Sequence, residues 1–478
     1  MKKVIKITLI TVALVLAAVL LGAVGFIGWG HVYRESYVHD VPDAIERTYG
    51  DEDIKAIVAS GKALYDENGK LFEIKGVNFG NLFLFEGWMT VNSLGAKYNE
   101  DGSFFKVNPE GIVEEYEEIY QEEMDAVLNE RFTEEQVSAL YDAYFYSYCT
   151  EQDFINIKDL GLNTIRLPMY YRNFMEGPDE ALVMRDDAYE KLDYFLELAK
   201  IHGLYVILDM HGVVGGQSGY EHCGTRDMDF WTNEVYIESM AELWGNIAEH
   251  YMTERRDLAS TILAYDLVNE PTYRTESGTG KLQWDVMDRL YDAIRRVDDY
   301  HVVSIEGVWY FNSLPDPSVY GWENVLYQYH FYNWSHDSLP NWLFYDFMFA
   351  LRSFSDYDVP KLVGEFNFFN DKDAWLEYLD MYDRTGLGWT IWSYKIISVG
   401  WWDNSWGMAV YKMNLKNDQS TPISEYKLKL DLRTASYDEI YAEWSTQYTD
   451  DGTNGGKYKF EGFTVDTIRE YFKRKGEE

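Results

Sequence analysis

Two kinds of apolar pattern take turns along the chain. Short, nearly continuous apolar runs recur, and stretches with helical spacing separate most of them. The runs are "FEIKGVNF" (72–79), "NTIRLPM" (163–169), "YVILDM" (205–210), "TILAYDLVNE" (261–270), "HVVSIEG" (301–307), "VLYQYHFY" (325–332), "KLVGEF" (361–366) and "GWTIWSY" (388–394). Runs of this length, without in–out alternation, predict strands buried on both faces of a parallel sheet. Segments such as "DAYEKLDYFLELAKIHG" (187–203) and "VMDRLYDAIRRVD" (286–298) predict the helices that cover it. Eight such units predict an α/β protein built as a (β/α)8 TIM barrel. An open doubly wound sheet competes, but its usual Gly-rich phosphate turn is missing from "GVNFGNLFLFEGW" after the first strand.

Two stretches interrupt the repeat, at 86–150 and 407–460, and both read as long loop insertions. The first is expected to hold an acidic helix near 114–130, and residues 464–475 read as a closing helix. Long loops on a barrel usually shape or cover its active face. No Pro/Ser-rich linker or internal repeat divides the chain, so residues 61–478 are read as one domain. Residues 1–30 differ from everything else: "MKK" and Lys6 precede the uncharged run "ITLITVALVLAAVLLGAVGFIGW". That run is long enough to span a bilayer and has no evident small-x-small cleavage site. It predicts an uncleaved signal-anchor with the bulk of the chain outside the cell membrane, a cleaved signal peptide being the alternative. Residues 31–60 are expected to form a polar juxtamembrane segment with a short helix.

Composition narrows the partners. Lys and Arg number 42 against 81 Asp and Glu, a formal net charge of −39. Such acidity repels nucleic acid and suits a neutral substrate. The 16 Trp and 40 Tyr offer ring faces of the kind on which sugars stack, although core packing accounts for aromatics equally well. Two cysteines, Cys149 and Cys223, make neither a disulfide framework nor a zinc cluster, and a single bond between them stays open. No cofactor or metal is expected, and the chain is read as a monomer.

Polar residues at the C-terminal ends of barrel strands face the active side. Strand two ends near Arg166, strand three at His211, strand four at Asn269 and Glu270. Strand six offers His330 and Tyr332, strand seven Glu365, strand eight Trp392. Each alone has a structural reading, such as a loop cap or a satisfied core histidine. Together they put two carboxylates on one rim, a pair that can protonate a leaving oxygen and attack an anomeric carbon.

On these residues the chain resembles glycoside hydrolase family 5 over roughly residues 70–410. In that family "NEP" on strand four carries the acid/base and "GE" on strand seven the nucleophile. The resemblance therefore implies Glu270 and Glu365 for these roles. It implies supporting roles for Arg166, His211, Asn269, His330 and Tyr332, and sugar binding for Trp392. "GVNFGNLFLFEGWM" is similar to the opening of exo-acting β-1,3-glucanases, which implies that Glu86 binds the terminal sugar. "EGW" replaces "EPW", Glu221 and His222 replace an Asp-Asn pair, and "WSYK" is closer to some β-1,4-glucanases. These departures leave linkage and exo-action open, and also whether Trp392 or Tyr394 fills the tryptophan site. Trp401, Trp402 and Trp406, in "VGWWDNSWG", are candidates for stacking on the sugar, Trp402 foremost.

The expected function is retaining hydrolysis of β-1,3- or β-1,4-glucosidic bonds in a β-glucan, outside the membrane. The alternatives are a non-catalytic carbohydrate receptor on the same barrel and a membrane scaffold. As the acid, Glu270 is expected to have a pKa raised by burial and by Glu365. Pro271 is expected to terminate strand four so that the loop turns away from the sugar.

Overall fold

The computed structural model describes every residue except 1, 40, 96, 99–103, 108–112, 115–117, 178–180, 273–279, 334–337, 354, 356, 398–405, 412–429 and 478. All eight predicted strands form: β1 (Lys75–Asn78), β2 (Thr164–Tyr170), β3 (Tyr205–Gly212), β4 (Ile262–Asp266), β5 (Val302–Glu306), β6 (Val325–Tyr332), β7 (Lys361–Asn367) and β8 (Gly388–Ile391). They close a barrel in the order β3-β4-β5-β6-β7-β8-β1-β2, each pair parallel. Every residue of β2, β4, β5 and β7 is buried, which is why these runs carry no alternation.

The helices are α1 (Lys2–His39), α2 (Gln121–Arg131), α3 (Glu134–Tyr148), α4 (Glu151–Asp159), α5 (Glu190–Ile201), α6 (Glu234–Thr253), α7 (Lys281–Arg295), α8 (Leu339–Ser353), α9 (Lys372–Arg384), α10 (Tyr437–Trp444) and α11 (Phe463–Glu477). α7 shows why the outer layer forms. Trp284, Met287, Tyr291 and Ile294 recur at helical spacing and are buried. Between β5 and β6 the chain makes only short turns, at Phe311–Ser313 and Pro317–Val319. A small antiparallel sheet (Val58–Ser60, Ala63–Tyr65, Leu71–Phe72) closes the N-terminal end of the barrel. Its Leu64, with Ile57 and Ile74, packs on Ile207, Leu263, Val302, Leu326 and Leu362, near the strand starts. The C-terminal ends of the strands, where the candidate residues lie, form the other end.

The two insertions both leave from that other end and fold together. Leu430–Asp431 pairs with Asn92–Ser93. Trp444 of α10 donates to the Asn92 Oδ1 at 2.8 Å and packs on Phe85, Tyr141 and Tyr144. The acidic helix begins at Gln121 rather than near 114, because Val113–Glu114 pairs as a strand with Lys106–Val107. Glu122 and Glu123 then fall in the first helical turn, where carboxylates oppose the helix dipole.

α1 continues past residue 30 to His39, and residues 41–60 hold no helix, unlike the short one expected there. Phe26 meets Phe347 of α8 edge-on at 5.6 Å, while Leu14, Leu16, Leu20 and Leu21 are exposed. Among the described residues no helix is long and apolar enough to cross a membrane. Cys149 and Cys223 are buried and unbonded to each other.

Candidate active site

Arg166 is the floor of the site. The sequence pattern puts it at a strand end, but β2 runs on to Tyr170, so Arg166 lies within the barrel and is fully buried. A buried guanidinium needs all its donors engaged. Nε donates to Asp266 at 2.9 Å, and Nη1 to Asn78 at 3.1 Å and to Glu365 Oε1 at 3.0 Å. Nη2 donates to the Asn269 Oδ1 at 2.9 Å and lies 3.1 Å from Asp209. Burial opposes its charge, but Asp209, Asp266 and Glu365 more than offset this and raise its pKa.

The rest of the cluster is built on that base. Glu365 accepts from Arg166 on Oε1 and from the Tyr332 hydroxyl on Oε2 at 2.7 Å. Burial, then the Glu365 charge, raise the Tyr332 pKa and keep that hydroxyl a donor. His330 stands beside Glu365 in the β6–β7 register. Its Nδ1 lies 2.8 Å from Glu270 Oε1 and 3.4 Å from Glu365 Oε2. Gly364 leaves room for this: a Cβ there would collide with Gln328 and sit 3.3 Å from His330 Nε2. One oxygen each from Glu270 and Glu365, with a His330 ring nitrogen, fall within 4.8 Å of one another. That spacing would also suit a metal ion. However, both Glu365 oxygens already accept hydrogen bonds, and Arg166 repels a second cation there.

Asn269 and Glu270 lie beyond the ladder of β4, which ends at Asp266. Pro271 therefore does not terminate the strand. The chain bends earlier, held by Leu267 N to Ser304 O at 3.2 Å and Asn269 N to Met210 O at 3.1 Å. Glu270 has a φ of +40°, in the left-handed region that costs a non-glycine residue about 1–3 kcal/mol. Asn269 bridges Arg166 and His211 Nε2, the latter at 3.3 Å. Asp209 lies 2.6 Å from His211 Nδ1, so the neutral ring donates there and accepts from Asn269. Burial first, and Arg166 in addition, lower the His211 pKa to about 3. Burial raises Asp209 to about 7.

The expectation of a raised Glu270 pKa is overturned. Burial does raise it, but His222, His330 and His211 outweigh that and lower it to about 2. His211 and His222 are themselves depressed by burial. At neutral pH the cation facing Glu270 is therefore His330. Burial opposes its charge too, but Glu306 and Glu365 raise its pKa to about 9.

The aromatic wall is partly as expected. Trp392 is buried and stacked on His211 at 5.5 Å, and a cis peptide bond joins it to Ser393. Tyr394 instead stacks on Phe79 and donates to Asp153, so of the two it is Trp392 that meets His211. Trp402, like Trp401, lies outside the described residues. Trp406 packs against Tyr332, Trp88 and Phe369. Glu86 accepts from the Trp88 indole at 2.9 Å. Burial, then Glu221, raise its pKa well above the carboxylate range, and the charges of Glu365 and Glu270 reach it.

Several residues of the cluster escaped the sequence reading. Asp209 precedes His211 by two positions and so shares its face of β3, a period-2 signal that could have found it. Asn78 pairs with Arg166 in the β1–β2 register, and Asp266 with Asp209 across β3–β4. Glu306 ends β5 in "SIEG", a strand end whose polar residue went unweighed. His222, read in the sequence only as a departure from an Asp-Asn pair, reaches within 3.6 Å of Glu270 Oε2 from the loop after β3.

Comparisons agree with this geometry. The family profile for cellulase (glycosyl hydrolase family 5) matches residues 125–398, more than half of the chain. A β-xylosidase of Phanerodontia chrysosporium is 28% identical over 283 residues, 57% of this chain and 51% of its own. A glucan 1,3-beta-glucosidase of Lachancea kluyveri is 30% identical over 212 residues, 44% of each chain. The chain thus spans about half the length of the curated relatives it matches. The crystal structure of rutinosidase from Aspergillus niger superposes with a TM-score of 0.52 at 16% identity, covering 70% of this chain and 92% of that one, and so shares the fold. A closed parallel barrel, two rim glutamates around a buried arginine, and a profile match across most of that barrel place this chain in glycosyl hydrolase family 5.

Proposed function

We propose that this protein is a retaining glycoside hydrolase that cleaves β-glucosidic bonds of a β-1,3- or β-1,4-linked glucan. The observation that carries the reading is the spacing of the two carboxylates, whose nearest oxygens lie within 4.8 Å. Retaining enzymes hold their carboxyl groups about 5–5.5 Å apart, whereas inverting ones need about 6.5–9.5 Å to admit a water. Glu365 is the nucleophile: Arg166 and Tyr332 hold its oxygens and aim it at the anomeric carbon. Glu270 gives a proton to the leaving oxygen, then takes one from the water that hydrolyses the glycosyl-enzyme. Asn269 faces the 2-hydroxyl, a contact that strengthens in the transition state. Trp392 packs on a sugar ring, Glu86 binds the far end of the sugar, and His211 orients Asn269. The relatives, a β-xylosidase and glucan 1,3-beta-glucosidases, support a β-linked substrate.

The same proposal puts the barrel outside the cell membrane, held by α1. The uncharged run of residues 7–29 and the exposed leucines on α1 support this. The enzymatic test is incubation with β-1,3-, β-1,4- and mixed-linkage glucans, sizing the products with time and reading the first anomer by NMR. Release of the β-anomer is expected. Release of the α-anomer would sink the retaining mechanism, and no release from any β-glucan would sink the substrate class.

A further inference from the structure

We propose that Glu306 is a positioning residue for the acid/base: one of its carboxylate oxygens clamps the backbone of Glu270, and the other faces the imidazole that supplies the proton. The proposal rests on the role given to Glu270 above. Glu306 is fully buried at the end of β5. Burial pushes its carboxyl pKa well up, His330 and Arg166 oppose this, and the carboxyl has partners of two kinds. Oε2 accepts the Glu270 N–H at 2.8 Å. Oε1 faces His330 Nε2 at 3.6 Å, an ion-pair distance, and neither of these two buried atoms has a hydrogen-bond partner.

The backbone explains why a clamp is needed. Glu270 has a φ of +40°, and Val308, two residues after Glu306, has a φ of +54°. A β-branched residue rarely adopts that conformation. The Val308 carbonyl accepts the His330 N–H at 2.7 Å. One strained turn after β5 thus holds both members of the pair: Glu270 through the Glu306 side chain, His330 through the Val308 carbonyl. Strain of this kind persists only where surrounding contacts over-determine it.

The chain Glu306–His330–Glu270 also stores a proton. At rest His330 is the cation and Glu270 the anion. In the working step the Nδ1–H bond of His330 breaks and an O–H bond forms on Glu270, leaving both neutral. His330 then keeps its proton on Nε2, toward Glu306. A bound sugar excludes water and favours this neutral pair. The other charged or titratable groups around the chain include Arg166 of β2, Asp209 and His211 of β3, Asp266 of β4, Tyr332 of β6, Glu365 of β7, His222 of the loop after β3 and Glu86 of the loop after β1. Arg166 lies 4.0 Å from Glu306 and is already matched by Asp209, Asp266 and Glu365.

The test compares Glu306→Gln and Glu306→Asp with the wild-type full chain, on aryl β-glucosides with good and poor leaving groups across pH. Glu306→Gln removes the charge behind His330. The expected result is a loss of about tenfold or more in kcat/KM on the poor leaving group, with a much smaller loss on the good one. Its basic limb should also move to lower pH. Glu306→Asp keeps the charge and should leave the basic limb in place, while still losing rate on the poor leaving group. If Glu306→Gln does not fold, Glu306→Asp carries the leaving-group test alone. Unchanged kinetics, or equal loss on both substrates with an unmoved limb, would overturn the proposal. Glu270→Ala is run alongside. Full activity in that variant would remove the acid/base reading itself, a failure distinct from that of Glu306.

Discussion

Glu365 and Glu270 differ in what their carboxylates already hold, and that difference separates their roles experimentally. Glu365 is tied on both oxygens by Arg166 and Tyr332, whereas Glu270 is tied by His330 on Oε1 and only approached by His222 on Oε2. With Glu270→Ala the nucleophile survives, so an activated aryl glycoside still forms the covalent intermediate. Azide should then rescue turnover and give the β-azide after two inversions. With Glu365→Ala azide can attack only directly, giving the α-azide. NMR of the azide product reads the assignment, and the opposite pairing would reverse the two roles. If Glu86 binds sugar hydroxyls as proposed, Glu86→Ala should raise KM on glucans without touching the reacting carbon. Unchanged KM on every glucan would make Glu86 a loop residue. His330 adds a pH prediction. Its folded pKa of about 9 exceeds the unfolded value of about 6.5, so between them only the folded protein holds the proton. Its contribution to stability is complete below about pH 6.5 and is lost as pH rises through about 9. The difference in denaturation midpoint between wild type and His330→Gln should therefore shrink over that range. A constant difference would mean that His330 is neutral in the folded protein.

At the scale of elements, the insertions after β1 and β8 act as one layer over the catalytic end. Trp444 is a large contact among those that join them, buried against Phe85, Tyr141 and Tyr144 and hydrogen-bonded to Asn92. Trp444→Ala should cost about 3–5 kcal/mol, the usual range for deleting a buried large aromatic side chain. Urea denaturation measures it, and a loss below about 1 kcal/mol would mean that the two insertions fold independently. Neither insertion carries this pairing in its own pattern. Leu430–Asp431 and Asn92–Ser93 are two-residue strands, too short to show periodicity, and they are far apart in the chain. The barrel strands, by contrast, were legible one by one, because burial on both faces imposes an unbroken apolar run on each.

At the scale of the molecule, two features of the sequence bear on the proposed location. The net charge is −39, and α1 carries an uncharged run over residues 7–29. If α1 holds the protein in the membrane with the barrel outside, protease added to intact cells should digest the barrel. Mass spectrometry of the mature protein should recover peptides from residues 1–30. A mature N-terminus near residue 30 would replace the anchor with a cleaved signal peptide.

The sequence by itself determined the barrel and the identity of most rim residues. Strand periodicity and strand-end position are local properties, written in neighbouring residues such as "VGEF" and "YDLVNEP". Tertiary structure alone decided that Arg166 is a floor rather than a rim residue, and that Trp392 rather than Tyr394 stands beside His211. It also decided the charge of Glu270. A carboxyl's protonation depends on the few groups within several ångströms, and here those come from β2, β3, β5, β6 and β7. Nothing local to residues 265–271 announces that His330 and Glu306 will stand next to Glu270. Only closure of the barrel brings them there, which is why the expected acid proves to be the anion of a buried pair whose proton rests on its neighbour.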